Sequence, residues 1–297
     1  MKKRSKVIGS LLMYLALAAC VPERGESEFP DQEIGEDGDG ENIPPISGEV
    51  GEGPGAGTMT GTWLKVHEAS SCVLGQEQLT LAYYLVQIEE NGLALREHRR
   101  LCQLDLSPIL GFRPVASPEV LESIEFPIVD RGLITRLVAG GAYSSATEVG
   151  LWGVALDDPL EDNLPVDPED ERVIDGEGDG NPGVTLQLEG SGCERYMGQR
   201  QVVRYFGRVE APNDLVGHSA TTTQTAVYGA SAPVCELAPA VEANDDHSRF
   251  RMVRIDGLGG AVQADLDGDG EISCEEAAVY IDALWEPREP NDELCDR

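Results

Sequence analysis

The chain is poor in basic side chains, and this shortage limits its partners. Of its 297 residues, 22 are Lys or Arg and 54 are Asp or Glu, which gives a formal net charge of −32 at pH 7. A polyanion repels phosphate backbones and anionic lipid surfaces, so we expect no nucleic-acid partner. The same charge favours divalent cations and basic protein partners.

The chain also lacks the sequence signatures of the common catalytic sites. It contains no G-x-S-x-G, H-E-x-x-H, phosphate-binding loop or dinucleotide fingerprint. Its four histidines, His67, His98, His218 and His247, are scattered along the sequence. His218 and Ser219 are neighbours on a predicted strand, where consecutive side chains point to opposite faces. We therefore expect no enzyme, unless a catalytic site is assembled only in three dimensions.

Residues 1–19 have the features of an export signal. Four basic side chains lie among residues 2–6, and the apolar run at 7–18 is shorter than the roughly 20 residues of a spanning helix. The ending "LAAC" resembles a bacterial lipobox, whose cysteine, here Cys20, is lipidated and becomes the new N-terminus. By the same resemblance, Val21 implies sorting to the outer membrane of the cell envelope. An ordinary signal peptide with Cys20 paired elsewhere is the alternative.

Six cysteines remain if Cys20 carries lipid, out of seven in the chain. An even number in an exported protein predicts up to three disulfide bonds. Fifteen pairings are possible, and proximity in the sequence favours Cys72–Cys102, Cys193–Cys235 and Cys274–Cys295.

Residues 20–58 are predicted to form a disordered tether, acidic and rich in glycine. Positions 21–58 hold eleven acidic side chains, one Arg and nine glycines. Such a segment buries too little apolar surface to offset the entropy of ordering it. Without residues 1–19 the chain keeps 18 basic and 54 acidic side chains, a net charge of −36.

Residues 59–255 alternate in the manner of antiparallel strands. The run 79–106 is interrupted by Asn91-Gly92, which predicts a hairpin with a type I′ turn. Further strands are predicted at 61–68, 132–139, 184–190, 200–211, 219–230 and 248–255. This series indicates a mainly β fold, an antiparallel β-barrel or sandwich. The opening "GTW" is faintly similar to that of lipocalins, so a lipocalin-like barrel is one form of this expectation.

An acidic insertion at 157–183 interrupts the strands. The run "LPVDPEDERVIDGEGDGNPGVTLQL", with "SRFRMVRI" downstream, resembles uncharacterised lipoproteins of myxobacteria and their relatives. Their recurring element is approximately D-x-D-G-D-G-x-P-G-V-T, and this chain has Glu177 where that element usually has Asp. The resemblance implies a location in the envelope and a β architecture, and it carries no activity.

The stretch "DLDGDGEISCEE", residues 265–276, matches the calcium loop of an EF-hand. Positions 1, 3, 5, 7, 9 and 12 are taken by Asp265, Asp267, Asp269, Glu271, Ser273 and Glu276. Gly270 stands at position 6, where the loop turns sharply. Glu271 would bind through its carbonyl, Ser273 through water and Glu276 with both carboxylate oxygens. The pattern predicts a Ca²⁺ site of four carboxylates.

The flanks of this loop differ. Apolar residues at helical spacing predict a helix over 277–285 that ends before Pro287, whereas "IDGLGGAVQA" is too rich in glycine for an entering helix. We expect 256–297 to be a small EF-hand-like α unit. The arrangement is similar to the lone calcium loops of exported bacterial proteins.

A weaker second cation site is predicted at 175–181. Asp175, Glu177, Asp179 and Asn181 match ligand positions 1, 3, 5 and 7 of the same loop, but Leu186 at position 12 offers no side-chain oxygen, so Glu189 or a residue from elsewhere would have to replace it. A plain acidic turn is the alternative.

Taken as a sequence, the chain indicates a calcium-binding surface module that contacts another protein or the cell envelope. The alternative is a lipocalin-like carrier of a small apolar ligand. An interior filled by side chains favours the module, and a roomy apolar interior favours the carrier.

Overall fold

The computed structural model describes residues 55–236 and 239–295. The predicted signal peptide at 1–19, the lipid-bearing Cys20 and the predicted tether up to residue 54 lie outside these residues. The chain is mainly β, with 49% strand and 12% helix, and most of its strands belong to one large antiparallel sheet. The predicted fold class is therefore confirmed.

The strands are β1 Gly61–Val73, β2 Gln76–Asn91, β3 Ala94–Leu106, β4 Arg113–Ala116, β5 Gly132–Ile134, β6 Ala142–Ser144, β7 Glu148–Trp152, β8 Val184–Glu189, β9 Cys193–Ala211, β10 Asp214–Ala230, β11 Val241–Ala243 and β12 Arg249–Arg254. The helices are α1 Pro118–Ser123, α2 Cys274–Ala278 and α3 Ile281–Leu284. Single 3₁₀ turns lie at Pro233–Glu236, Asp245–His247, Leu258–Gly260 and Asp292–Cys295.

The sheet closes on itself. Hydrogen-bonded neighbours follow the order β10, β12, β1, β2, β3, β5, β6 and β9, and β9 pairs with β10 again. Eight strands thus form a ring, so of the two predicted architectures the strand pairing gives a barrel. All pairings are antiparallel, and the long hairpin of β9 and β10 contributes two adjacent strands of the ring.

Strand β9 extends beyond the ring and organises the rest of the chain. One of its edges pairs in turn with β8, β7 and β6, and β4 adds to β8. The predicted strand at 132–139 is too long: β5 ends at Ile134 because the chain turns at Val138–Gly141 to bring β6 back alongside it.

The β2–β3 hairpin is confirmed, but its turn lies one residue later than predicted. Asn91 pairs with Ala94, so the two loop residues are Gly92 and Leu93. Of these only Gly92 has positive φ, at 66°, and Asn91 keeps the conformation of the strand. The turn is therefore of the type II′ kind, with Gly at its first loop position, rather than type I′.

The interior of the barrel is filled by side chains. Trp63, Tyr205 and Phe250 are each at most 1% exposed, and the Tyr205 and Phe250 rings meet edge to face with centroids 5.0 Å apart. Gly207 lies opposite Gly217, and a Cβ on Gly217 would come within 2.7 Å of the Phe250 ring. The missing side chains at this pair make room for that ring.

The outer face of β1 and β2 is also covered, by the C-terminal segment. Ala264, Ala277, Ile281 and Leu284 pack on Leu64, Val66, Tyr83, Leu85, Val253 and Ile255. Farther along, the Arg288 guanidinium lies 3.3 Å from Glu68 and bonds Glu77, two carboxylates that are each 1% exposed. Residues 256–295 are thus a layer of the same compact unit as the barrel.

The disulfide bonds differ from the predicted pairing in two of three cases. Cys193–Cys235 is confirmed, but Cys72 bonds Cys295 and Cys102 bonds Cys274. The predicted Cys72–Cys102 bond is wrong because β2 lies between β1 and β3, which separates the cysteines by about 10 Å, beyond the reach of a disulfide. The predicted Cys274–Cys295 bond is also wrong, because each of these cysteines instead ties the C-terminal layer to a strand of the barrel.

Candidate functional site

The loop at 265–276 is held between a turn and a helix. On its entering side, Asp256 pairs with Gln263 and the Gly257 N–H bonds the Val262 carbonyl at 2.8 Å, so a tight turn replaces the entering helix, as the glycines predict. The buried Ala264 then bonds Ile255 at the end of the barrel. The loop therefore starts from a fixed point on the sheet.

On the exit side, Ser273 caps α2. Its hydroxyl accepts the N–H of Glu276 and the Glu276 carboxylate accepts the N–H of Ser273, a capping box. The predicted helix over 277–285 is wrong as one element, since α2 ends at Ala278 and α3 begins at Ile281. The break lets Ile281 and Leu284 reach the sheet that Ala277 already contacts. The Cys102–Cys274 disulfide fixes the start of α2 to β3.

Three of the predicted ligands converge. Asp265, Asp267 and Asp269 each place a carboxylate oxygen within 4.8 Å of the other two, and no other three such groups come this close in the described part of the chain. Asp265 accepts the N–H groups of Gly268 and Gly270, both with positive φ, at 2.7 and 3.1 Å. These bonds turn the backbone around the carboxylates, which is why glycine is needed at both positions.

Glu276 does not join this group. One of its carboxylate oxygens accepts the N–H of Leu266 at 2.7 Å and the other accepts the N–H of Ser273 at 2.8 Å. These backbone bonds, with the Ser273 hydroxyl, lower the pKa of Glu276 to about 2. Glu276 thus ties together Leu266 and Ser273, the first and eighth residues after Asp265, and its carboxylate is occupied by N–H donors rather than directed at the three Asp side chains.

The two remaining predicted ligands have local roles. Glu271 is exposed, and its N–H donates to Asp269 at 2.8 Å. Ser273 is committed to the capping box. In this arrangement the donor set consists of three carboxylates, with the Glu271 carbonyl as the further oxygen that the spacing predicts.

The predicted second site folds into the same loop conformation. Asp175 accepts the N–H groups of Gly178 and Gly180 at 2.7 and 2.9 Å, as Asp265 does in the first loop. The other carboxylates of this second site are already hydrogen-bonded, however: Asp179 accepts from the Asn181 side chain and Glu177 accepts from the Thr185 N–H. Asp175, Glu177 and Asp179 do not converge as the first three aspartates do.

A buried ionic network inside the barrel was not predicted. Lys65 contacts Glu148 at 2.5 Å, Arg99 lies 3.3 Å from Glu148 and 3.8 Å from Glu97, and Tyr143 donates to Glu97 at 3.2 Å. These side chains are at most a few per cent exposed. Burial lowers the pKa of Lys65, whereas burial and then the charge of Glu148 raise the pKa of Glu97 to about 7.

His67 belongs to a second buried group beside this network. Its Nε2 lies 2.8 Å from the Ser219 hydroxyl and its Nδ1 lies 3.0 Å from the Tyr205 hydroxyl. Burial, and then the charge of Lys65, lower the pKa of His67 to about 3, so the ring is neutral at pH 7. Ser219 is fully buried, and a hydroxyl that no substrate can reach is a structural partner rather than a nucleophile. His218, next to it, is exposed on the opposite face, as predicted.

The alternation of residue types along β1 was the sequence signal from which this network could have been predicted. In "TWLKVHE", Trp63, Lys65 and His67 share one face of β1 and Leu64 and Val66 share the other. Apolar Leu64 and Val66 would ordinarily define the interior face. They face outward here because the C-terminal layer covers them.

Comparison of the chain with protein-family models, with curated proteins and with solved structures finds no match. In the described residues, none of the helices has the length and apolar character needed to cross a membrane.

Proposed function

We propose that the protein is a calcium-binding lipoprotein of the cell envelope that acts as a surface binding module. The observation that carries the proposal is the convergence of Asp265, Asp267 and Asp269 on one loop. Three carboxylates so close repel one another, and a divalent cation among them removes that repulsion.

The donor set fits calcium. Ca²⁺ is a hard cation that takes roughly six to eight oxygens at about 2.3–2.6 Å. Asp265, Asp267 and Asp269 supply carboxylate oxygens, and the Glu271 carbonyl is the next donor in the spacing. The loop is tied to the barrel on both sides, by Ala264 and by Cys274, so little ordering remains when the ion binds.

Three disulfide bonds support a location outside the cytosol, because such bonds persist in oxidising compartments. The lipid anchor at Cys20 rests on the lipobox alone. Acyl-chain labelling of wild type and Cys20→Ala tests it, and equal label in both would show that Cys20 is not the attachment site.

A filled interior favours the binding module over the carrier of an apolar ligand. Bulky side chains and the Lys65 network occupy the barrel, and the His67 group is sealed from solvent. This packing supports binding at the outer surface over both transport in the interior and catalysis there.

Calorimetric titration of residues 21–297 with calcium tests the site. We expect binding to wild type and to Glu271→Gln, because Glu271 would act through its backbone, and strongly weakened binding to Asp267→Asn. Equal affinities for wild type and Asp267→Asn would refute the proposed site.

A further inference from the structure

A groove of about 440 Å³ lies between the candidate calcium loop and the outer face of the barrel. One wall is the loop, through Asp265, Glu271 and Ile272. The other wall is formed by β1, β2 and β3, whose register sets Thr62 beside Gln87 and Gln87 beside His98. The groove thus has the candidate metal ligands on one side and a rigid sheet on the other.

The sheet wall carries the groove's basic side chains. His98 and Arg100 are two residues apart on β3 and both line the groove. Both are exposed, and neither side chain forms a hydrogen bond or ion pair with any residue that the structure describes. Arg96 is the next residue along the same face, but it lies outside the groove and 4.0 Å from Glu89. These two basic side chains thus lie across the groove from an acidic loop, in a chain of net charge −32.

We propose that this groove binds a small carboxylate-bearing ligand, held between a calcium ion in the loop and the Arg100 guanidinium. The inference rests on the proposed calcium site and names the ligand class of that site. Arg100 can bind a carboxylate through two parallel N–H bonds, and Ca²⁺ accepts a carboxylate oxygen as a ligand.

The state of Glu276 leaves room for such a ligand. Its carboxylate oxygens accept backbone N–H groups on both sides of the loop, so the loop's own oxygens fall short of the roughly six to eight that calcium takes. Asp265 and Glu271 line the groove, so the open positions of an ion bound there include the groove side. An oxygen from the ligand would fill one of them.

Charge makes this binding depend on calcium. Without the ion, Asp265 and Glu271 repel an anion in the groove, and with the ion that wall attracts it. By linkage, the ligand must then raise the affinity for calcium by the factor by which calcium raises the affinity for the ligand. The volume is suited to one or two sugar rings or amino-acid residues.

The test measures calcium affinity by calorimetry on residues 21–297, with and without sodium galacturonate, and with neutral galactose as the ligand control. We expect galacturonate to lower the calcium Kd by about fivefold in wild type, and galactose to leave it unchanged. Arg100→Gln should abolish the shift, and Arg96→Gln, the matched variant outside the groove, should keep it. Because galacturonate also binds free calcium, the comparison of these two variants under one condition carries the result.

A second series with N-acetylglutamate distinguishes an acidic sugar from an acidic amino acid as the source of the carboxylate, by the larger shift. If wild type binds calcium but neither acid changes the Kd, or if the shift survives Arg100→Gln, this inference is overturned and the calcium site stands. If no calcium binds to wild type, the proposed function fails and the inference with it.

Discussion

Glu97 and His67 lie in the same sealed barrel, yet burial displaces their pKa values in opposite directions. The pKa of Glu97 rises from 4.5 to about 7, and that of His67 falls from 6.5 to about 3. Glu97 therefore stabilises the fold below pH 4.5, and this contribution is lost as pH rises through 7. His67 stabilises it above pH 6.5, and this contribution is lost as pH falls through 3. Between pH 4.5 and 6.5 the Glu97 contribution to the free energy of unfolding falls with pH while the His67 contribution rises, so the two pH dependences oppose each other.

Removing Glu97 should expose the effect of His67. In Glu97→Gln, which keeps an acceptor for Tyr143, the free energy of unfolding relative to wild type should rise with pH by about 1–3 kcal/mol between pH 4.5 and 6.5. Urea denaturation at three pH values across this window measures the difference. A difference that does not vary with pH would mean that Glu97 has an ordinary pKa in the fold.

Removing His67 should give the opposite slope. In His67→Gln the free energy of unfolding relative to wild type should fall by a similar amount as pH rises over the same window, because Glu97 then acts alone. His247→Gln, the same change at an exposed position, provides the control. A slope of the same sign in His67→Gln and Glu97→Gln would contradict the assignment of the two groups.

At the scale of elements, Glu276 acts as a clamp between loop and helix. Glutamine has one acceptor oxygen, so Glu276→Gln must lose the bond to Leu266 or the bond to Ser273. We expect a loss of about 1 kcal/mol of stability even in the presence of a chelator, and little loss for Glu275→Gln, which is exposed in the same turn. Thermal denaturation in chelator measures it. A loss seen only with calcium would identify Glu276 as a ligand, as its position in the loop first indicated.

The conformation of an element was predictable where neighbouring residues determine it, and was not predictable where packing against distant segments determines it. The spacing of Asp265, Asp267 and Asp269 predicted their convergence, since Gly268 and Gly270 allow the positive φ that the tight turn around them requires. The role of Glu276 was not foretold, because spacing does not show whether a carboxylate bonds a metal or an N–H group. The Asn91-Gly92 hairpin was predicted, but its register depends on pairing along the whole of β2 and β3.

At the scale of the molecule, two disulfides are nested: Cys102–Cys274 lies within the loop closed by Cys72–Cys295. With one bond intact, the other closes only the 30 residues from Cys72 to Cys102 plus the 21 from Cys274 to Cys295. With neither intact, a restored bond would close 172 or 223 residues. Each bond thus shortens the loop that the other constrains, so the two are thermodynamically coupled.

A double-mutant cycle with Cys72→Ser/Cys295→Ser and Cys102→Ser/Cys274→Ser checks this coupling. Removing either bond from the variant that already lacks the other should lower the free energy of unfolding by about 1 kcal/mol more than removing the same bond from wild type. The reason is that the loop released in the variant is several times longer. The cycle pairing Cys72–Cys295 with Cys193–Cys235 is the control, since the latter closes its own loop of 42 residues. If the losses of stability for the two nested disulfides simply add, loop length does not determine how much each bond stabilises the fold.

The long-range architecture was beyond the reach of the sequence for one physical reason. The barrel closes between β9 and β10, and its outer face is covered by residues about 200 positions from β1. Alternation shows that β1 has two faces, but only the covering layer decides that Lys65 points inward and Val66 outward. The groove beside the candidate calcium loop arises from the same layer, so neither Arg100 nor His98 could be recognised from the sequence as part of the proposed ligand site.

The length of β10 has a consequence for solubility. It pairs with β9 along its whole length, but β12 reaches only Asp214–His218 on its other edge, and no other described strand continues that pairing. The backbone N–H groups of Ser219 and Thr221 still bond Ser248 and Asp245 on that edge. Residues 222–230, beyond them, present an edge with no charged residue and no proline, the features by which proteins ordinarily block strand addition from a second molecule. We expect slow, concentration-dependent aggregation through this edge, suppressed by Thr222→Lys at an exposed position and not by Thr58→Lys elsewhere, as followed by light scattering. The strand that completes the barrel would then also limit the concentration at which the protein stays monomeric.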